Sequence, residues 1–311
     1  MDAKINLEKI KSTKSIKELL EFGIINFDKP TTLDPAHSSL ASSSQSRSDC
    51  TSFDVVDFVR KKLKLRKTSH FGTLDPMVTG VLPVALNRAV KLSGFFIGED
   101  KEYEGVMRIH EDVSLEEIKK VIEEKFMGTI IQLPPVRSKV KRQEREREIK
   151  KFELLKKDGK EVYFRVECQG GTYIRKLIHD LGEEMKIGAH MTGLKRIRAG
   201  IFKSKEMVSK EKFEKAVEEY EKGNDKLIRE IIIPAEIISE VYPVVEIKEE
   251  PVERIMHGQP VYEKDLENKV KAEKNQIVCG FSNSRFVGMF KVLNEVNVFA
   301  KGMFVMQEIR N

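Results

Sequence analysis

The stretch His70 to Val84, HFGTLDPMVTGVLPV, sets one carboxylate, Asp75, among two glycines and two prolines. Glycine and proline at that density hold the backbone in tight turns, and the flanking apolar residues anchor it on both sides. An aspartate beside Gly and Pro has an ordinary use, capping backbone amides within the turn. It has a chemical use if a cation is fixed beside it, because a held carboxylate can act as nucleophile or base. The segment Gly170 to Arg175, GGTYIR, offers that cation. It joins a predicted strand to a predicted helix, so Tyr173 and Arg175 emerge near the helix start. The planar guanidinium of Arg175 suits paired hydrogen bonds to a buried carboxylate.

Basic residues gather in two places. Residues 137–151 hold eight Lys or Arg, including Arg137, Lys139, Lys141 and Arg142, against three Glu. Such a run reads either as a solvated mixed-charge face or as a phosphate-contacting surface. Lys195, Arg196 and Arg198 form a second cluster beside Leu194. The chain as a whole carries +6, which permits a nucleic-acid partner without establishing one. Cys50, Cys168 and Cys279 lie far apart with no CxxC pair, which excludes a disulfide scaffold and a cysteine-rich zinc site and suits a reducing cytoplasm. Cys168 reads as a small core residue, and His179, His190 and His257 lack metal-ligand spacing, so no metal is expected. The first residues contain no apolar signal core and no stretch approaches a membrane span, so a cytoplasmic chain is expected.

The elements that must position these residues follow from apolar periodicity. Residues 1–20 read as a polar, lysine-rich arm that becomes ordered by docking. Gly23 to Phe27 reads as a strand entering the turn Asp28-Lys29-Pro30. Residues 33–50 are a Ser-rich stretch without apolar period, expected as a surface loop. Thr51-Ser52 caps a helix with Phe53, Val55, Val56, Val59 and Leu63 on its inner face. Tyr103 to Ile109 alternates as a strand, and Ser114 with Glu117 opens a capped helix. A hairpin turns at Lys157-Asp158-Gly159, a helix follows Thr172, and residues 209–230 read as one charged helix. After Tyr242-Pro243 come short strands at about 244–248, 276–281, 285–292 and 302–309. The pattern predicts an α+β domain over residues 21–240 and a β-rich module over 241–311.

Taken together, HFGTLDPMVTGVLPV and the ordered segments GIINFDKP, KEYEGVMRI, GTYIRKLIHDLG and GAHMTGLKRIRAGIF resemble the TruB-type pseudouridine synthases. QLPPVRSKVKRQERERE is similar to the archaeal and eukaryotic dyskerin-like branch. The resemblance runs from residue 20 to about 235, and the remainder, with Met256-His257-Gly258, resembles the PUA RNA-binding domain. It implies a pseudouridine synthase fold with a mixed, largely antiparallel central sheet, flanking helices and a small PUA-like β-barrel.

Residue by residue, the resemblance implies that Asp75 is the catalytic aspartate and Arg175 its cation. It implies that Tyr103 packs on the target base, that Tyr173 belongs to the third motif and that Leu194 lies beneath the base. His70 would help hold an everted nucleotide, and Lys29, the strand-end lysine, would be among the substrate- and RNA-binding residues. The implied reaction turns uridine into pseudouridine without net redox change or hydrolysis, so no cofactor is called for. Asp75 would attack ring carbon 6 or the anomeric carbon, and Tyr103 or Asp75 itself would take the proton from carbon 5. The implied substrates are the T-loop uridine of tRNA, or ribosomal RNA selected by a guide RNA. In the second setting the implied partners are a small zinc-ribbon protein, a Gly/Arg-linked β-barrel protein and a kink-turn-binding protein. A different class of reading is a catalytically silent RNA-binding or ribosome-assembly protein on the same fold. The chain departs from the family pattern at the Ser-rich stretch, which puts the placement of Lys29 in question. Asp34 repeats the neighbours of Asp75 there without the Thr-Gly-x-Leu-Pro that follows.

Overall fold

The computed structural model describes residues 5–31, 50–134 and 141–307. Most of the Ser-rich stretch with Asp34, together with Arg137 and Lys139, lies outside the described residues.

In chain order the first elements are α1 (Leu7–Thr13), α2 (Ile16–Glu21), β1 (Gly23–Lys29), α3 (Ser52–Lys62), β2 (Thr68–His70) and β3 (Thr79–Leu86). They are followed by α4 (Ser93–Phe96), β4 (Lys101–Ile109), α5 (Leu115–Lys125), β5 (Gly128–Gln132), β6 (Arg145–Asp158) and β7 (Glu161–Cys168). Next are α6 (Ile174–Glu184), β8 (Ala189–Ala199), β9 (Phe202–Lys203), α7 (Lys210–Glu221), α8 (Lys226–Ile231) and β10 (Ile233–Pro234). The last are β11 (Val244–Glu246), α9 (Val252–Met256), β12 (Val261–Tyr262), β13 (Ile277–Ser282), β14 (Arg285–Glu295) and β15 (Val298–Val305). Two compact units result. One is Ile25 to Ile231, and the other joins the residues up to Ile24 with those from Ile232 onward.

The larger unit is built on a mixed sheet in the order β1-β3-β8-β4-β7-β6-β5, with β2 also paired to β3 and β9 to β8. β3 and β8 run parallel, while β4 is antiparallel to both β8 and β7. The period of two in β4 sorts its residues by face. Lys101, Tyr103, Gly105, Met107 and Ile109 are buried, and Glu102, Glu104, Val106 and Arg108 are not. On the outer face Arg198 of β8 bridges Glu102 at 3.3 Å and Glu167 at 2.7 Å, and Arg165 pairs with Glu104. α6 turns Ile174, Leu177, Ile178 and Leu181 inward.

Some local expectations change. α3 opens with a capping box in which Thr51 and Asp54 exchange side-chain and backbone hydrogen bonds. Ser52 then heads the buried stripe of Val55, Val56 and Val59, which leaves Phe53 outside and 70% exposed. The charged stretch 209–230 is two helices, because Gly223 takes φ +89° and ends α7 in the left-handed region.

The smaller unit holds a five-stranded sheet, β11-β13-β14-β15-β12, with β11 parallel to β13 and the other pairs antiparallel. Its core includes Val245, Ile255, Val278, Val287, Phe290 and Val292. The last strand runs Val298–Val305 rather than 302–309, and β12 has no counterpart in the expected pattern. The amino-terminal arm is ordered here as two helices. α2 carries a Ser15–Glu18 capping box, Phe22 stacks on Phe286 with ring centroids 5.1 Å apart, and Lys14 pairs with Glu236. Gly23 and Ile24 pair with Pro234 and Ile233. No helix among the described residues is long and apolar enough to cross a membrane.

Candidate active site

Asp75 sits at the tip of the hairpin formed by β2 and β3, where His70 faces Val84 across the ladder. The tip is braced from three directions. Phe71 donates its backbone N–H to Pro83 at 3.1 Å and stacks on Phe96 at 4.6 Å. Ser52 Oγ accepts from the Leu74 N–H at 2.8 Å and donates to the Leu74 carbonyl at 3.1 Å. Lys29 Nζ donates to the carbonyls of Pro76 and Val78, each at 2.9 Å, and to that of Pro30 at 3.1 Å. Lys29 is fully buried. The expectation that it contacts substrate RNA is therefore corrected: its ammonium goes to backbone carbonyls of the turn just after Asp75 and to that of Pro30.

Arg175 enters from the first turn of α6, and its Nη2 lies 2.9 Å from Asp75 Oδ2. The pairing expected from residue types and spacing is present, but the buried setting is not. The two side chains are 48% and 46% exposed respectively, so the carboxylate faces an open surface that a ligand can reach. The start of α6 has no side-chain cap of its own. Buried Gln132, at the end of β5, instead holds the residue before the helix: its Oε1 accepts from the Tyr173 N–H at 2.9 Å and its Nε2 donates to the Tyr173 carbonyl at 3.2 Å. A contact across 41 residues leaves no local signal in sequence, and Gln132 was not anticipated. Gln132→Leu should strand the Tyr173 N–H, since the Tyr173 carbonyl keeps its bond from Leu177, and destabilise the unit by about 1–3 kcal/mol, with a loss of turnover from a shifted Arg175. Thermal denaturation alongside a rate measurement checks this, and an unchanged melting temperature would contradict it.

Tyr103 projects from β4 onto the inner face and is buried. Burial pushes its phenol up, while a hydrogen bond and the charge from the Arg196 guanidinium pull the other way; the charge of Asp75 also reaches it. Leu194 stands opposite Gly105 in the ladder, and a Cβ on Gly105 would come within 2.9 Å of Leu194 Cδ1. The glycine thus makes room for the leucine to lie against the sheet.

His70 is half-buried. Burial first, then the Arg196 charge, pushes it below its ordinary value, and its Nδ1 has no hydrogen-bond partner among the described residues.

The basic cluster beside Leu194 is not one surface. Arg196 is only 1% exposed, so it does not reach a phosphate, and the expectation that it binds RNA is corrected. Strand alternation turns exposed Lys195 to the opposite face from Leu194 and Arg196, where it stands across from Glu104. Lys141 and Arg142 are exposed. Arg147 of the same run lies against the turn before Tyr173, where a Cβ on Gly171 would sit 3.2 Å from its Nη2. Cys168 is buried opposite Lys101 in the ladder, and burial pushes its thiol up to about 11, away from the thiolate form. No group of three or more metal-ligating side chains is found among the described residues.

Residues 60–174 match the model of the TruB family pseudouridylate synthase N-terminal domain, and residues 175–239 that of the tRNA pseudouridylate synthase B C-terminal domain. A probable tRNA pseudouridine synthase B of Methanopyrus kandleri is 41% identical over 246 residues, covering 79% of this chain and 68% of the relative. The corresponding protein of Archaeoglobus fulgidus is 35% identical over 297 residues, covering 95% of this chain and 83% of the relative. Among solved structures, a Cbf5-Nop10-Gar1 complex contains a chain similar at TM-score 0.82 and 32% identity, covering 96% of this chain and 88% of that one. A chain of an H/ACA RNP bound to a substrate RNA containing 2'-deoxyuridine matches at TM-score 0.81 and 30% identity, covering 96% of this chain and 89% of its own. With the Asp75–Arg175 pair, Tyr103 and Leu194 set on one frame, the chain belongs to the TruB family of pseudouridylate synthases.

Proposed function

We propose that this chain isomerises uridine to pseudouridine in RNA, with Asp75 as the nucleophile. The observation that carries this reading is the 2.9 Å contact between Asp75 and Arg175, held at the tip of a hairpin braced by Lys29 and Ser52. The reaction breaks the bond from sugar to N1, turns the detached uracil and closes a new bond from sugar to carbon 5. Asp75 serves by attack at carbon 6 of the ring or at the anomeric carbon, and Arg175 holds the attacking oxygen in place. Carbon 5 then loses its proton to Tyr103 or to Asp75. The uridine must leave its stack to reach Asp75, at a cost of a few kcal/mol. Tyr103 offers a ring face to the extruded base, Leu194 an apolar floor, and His70 and Tyr173 line the approach. Lys141 and Arg142, with Arg137 and Lys139 of the same run, contact the phosphates.

The curated relatives are named for tRNA, which supports tRNA as a substrate. The similarity to chains of a Cbf5-Nop10-Gar1 complex and an H/ACA RNP supports a second setting, in which guide RNA and small proteins present ribosomal RNA. The partner proteins there would be of zinc-ribbon, Gly/Arg-linked β-barrel and kink-turn-binding type. The five-stranded sheet of the smaller unit is read as a PUA-like RNA-binding module. Cys50, Cys168 and Cys279 are buried and form no disulfide among the described residues, which suits action in a reducing cytoplasm.

The purified chain should be incubated with a tRNA transcript and with a guide-matched ribosomal RNA fragment, each with and without guide RNA and partner proteins. Pseudouridine is expected in the tRNA without a guide, and in the ribosomal fragment only with the full set. Equal modification of the fragment in both tubes removes the guided role, and no pseudouridine anywhere favours the catalytically silent alternative.

A further inference from the structure

Arg196 is a guanidinium inside the sheet core, and no carboxylate pairs with it among the described residues. Burying such a charge costs several kcal/mol, and at a plain core position on this face a leucine or valine would avoid that cost. What the guanidinium gains is reach. Its Nε donates to the Val81 carbonyl on β3 at 2.8 Å, and its Nη2 donates to the Gly72 carbonyl, three residues before Asp75, at 3.1 Å. Gly72 takes φ +111°, and a Cβ there would lie 3.5 Å from Arg196 Nη1, so the hairpin passes close over the guanidinium.

The cross-strand neighbour of Arg196 is Tyr103, and the backbone arranges that pairing. β8 pairs Ala199 with Lys101 and Arg198 with Glu102, and then skips Ile197, so that Arg196 stands directly opposite Tyr103. This bulge changes which residue shares the face of Tyr103; in a regular ladder Ile197 would stand there. A guanidinium has donors only and a phenol oxygen can accept, so across this facing pair the Tyr103 oxygen is the group able to take a proton contact from Arg196, with its own proton turned elsewhere.

We propose that Arg196 is a positioning residue that ties the Tyr103 hydroxyl and the Asp75 hairpin to one buried guanidinium, fixing the stacking ring and the attacking carboxylate relative to each other and orienting the phenol proton away from β8. It rests on the pseudouridine synthase reading. Arg196 touches neither substrate nor reacting atoms and acts through the two groups that do.

The test is a double-substitution cycle measured as single-turnover pseudouridine formation under saturating enzyme, with RNA affinity determined in parallel. Arg196→Met should slow turnover by about 10²-fold through misplacement, with the Kd for RNA and its salt dependence unchanged. In the Tyr103→Phe background the hydroxyl is gone, and adding Arg196→Met should slow the residual rate by only a few-fold. A loss from Arg196→Met that is the same in both backgrounds would mean a merely structural role and would overturn the proposal. A weakened Kd with a shallower salt slope would overturn it in favour of a phosphate contact. Arg196→Lys, which keeps the charge but not the fork, runs the same cycle if the Met variant does not fold. If the unsubstituted protein makes no pseudouridine, the underlying functional reading fails; if it does and the cycle is additive, only the role of Arg196 fails.

Discussion

Asp75→Asn is expected to lower pseudouridine formation by at least about 10⁴-fold, on the scale seen when a nucleophile is removed from an enzyme site. The same variant should bind RNA with a Kd within a few-fold of the parent. The two expectations separate because Asp75 adds negative charge near a polyanion, so neutralising it does not weaken phosphate contacts. The substitution also leaves the hairpin intact: Ser52, Lys29 and Phe71 hold the tip through backbone groups, not through the Asp75 carboxylate. Quantifying nucleosides from digested RNA, together with a filter-binding or anisotropy titration, checks both parts. Retained turnover in Asp75→Asn would remove Asp75 from the chemistry.

Arg175→Ala is expected to cut turnover by about 10²- to 10³-fold while shifting the melting temperature little. The asymmetry follows from exposure. Both partners of the 2.9 Å pair are about half exposed, and solvent screening limits such pairs to roughly 0–1 kcal/mol of folding stability. Positioning is not screened in the same way, since a displacement of about 1 Å in an attacking group can cost about 10²-fold in rate. Arg175→Lys should fall between, keeping the charge while losing the fork geometry. A near-normal rate in Arg175→Ala would separate Arg175 from Asp75 function, and a large fall in melting temperature would mark the pair as a fold contact.

The parts of this site legible in the sequence are those carried by local chemistry. Asp75 stands out because glycines and prolines surround it, and Arg175 because it follows a Gly-Gly turn at a helix start. The alternation that turns Glu102 and Glu104 to the outer face and buries Tyr103 is also visible in the order of residues. The resemblance counts Lys29 among RNA contacts and the basic cluster counts Arg196 there, because nothing local in the sequence offers either charge a partner. Only the tertiary carbonyls of Pro76, Val78, Val81 and Gly72 reveal that both are buried and bonded inward. One signal for Arg196 was available: Leu194 and Arg196 are two apart on a strand, so they share a face that Lys195 does not. The bulge at Ile197 that sets Arg196 against Tyr103 leaves no such mark. Gln132 and Ser52 were missed for a related reason, since each brace joins segments distant in the chain. The amino-terminal arm divides the same way. Its Ser15–Glu18 capping box is local, whereas the stacking of Phe22 on Phe286 is knowable only once the chain is folded.

The central claim is that this chain moves the sugar bond of uridine from N1 to carbon 5, which requires the hydrogen on carbon 5 to leave. A tRNA transcript carrying tritium at carbon 5 of its uridines, mixed with excess purified protein, therefore reports the event directly. One tritium should appear in water for each pseudouridine formed, and none above background should appear with Asp75→Asn. Tritium that stays in the RNA with the unsubstituted protein, or release that is equal in both, would contradict the account.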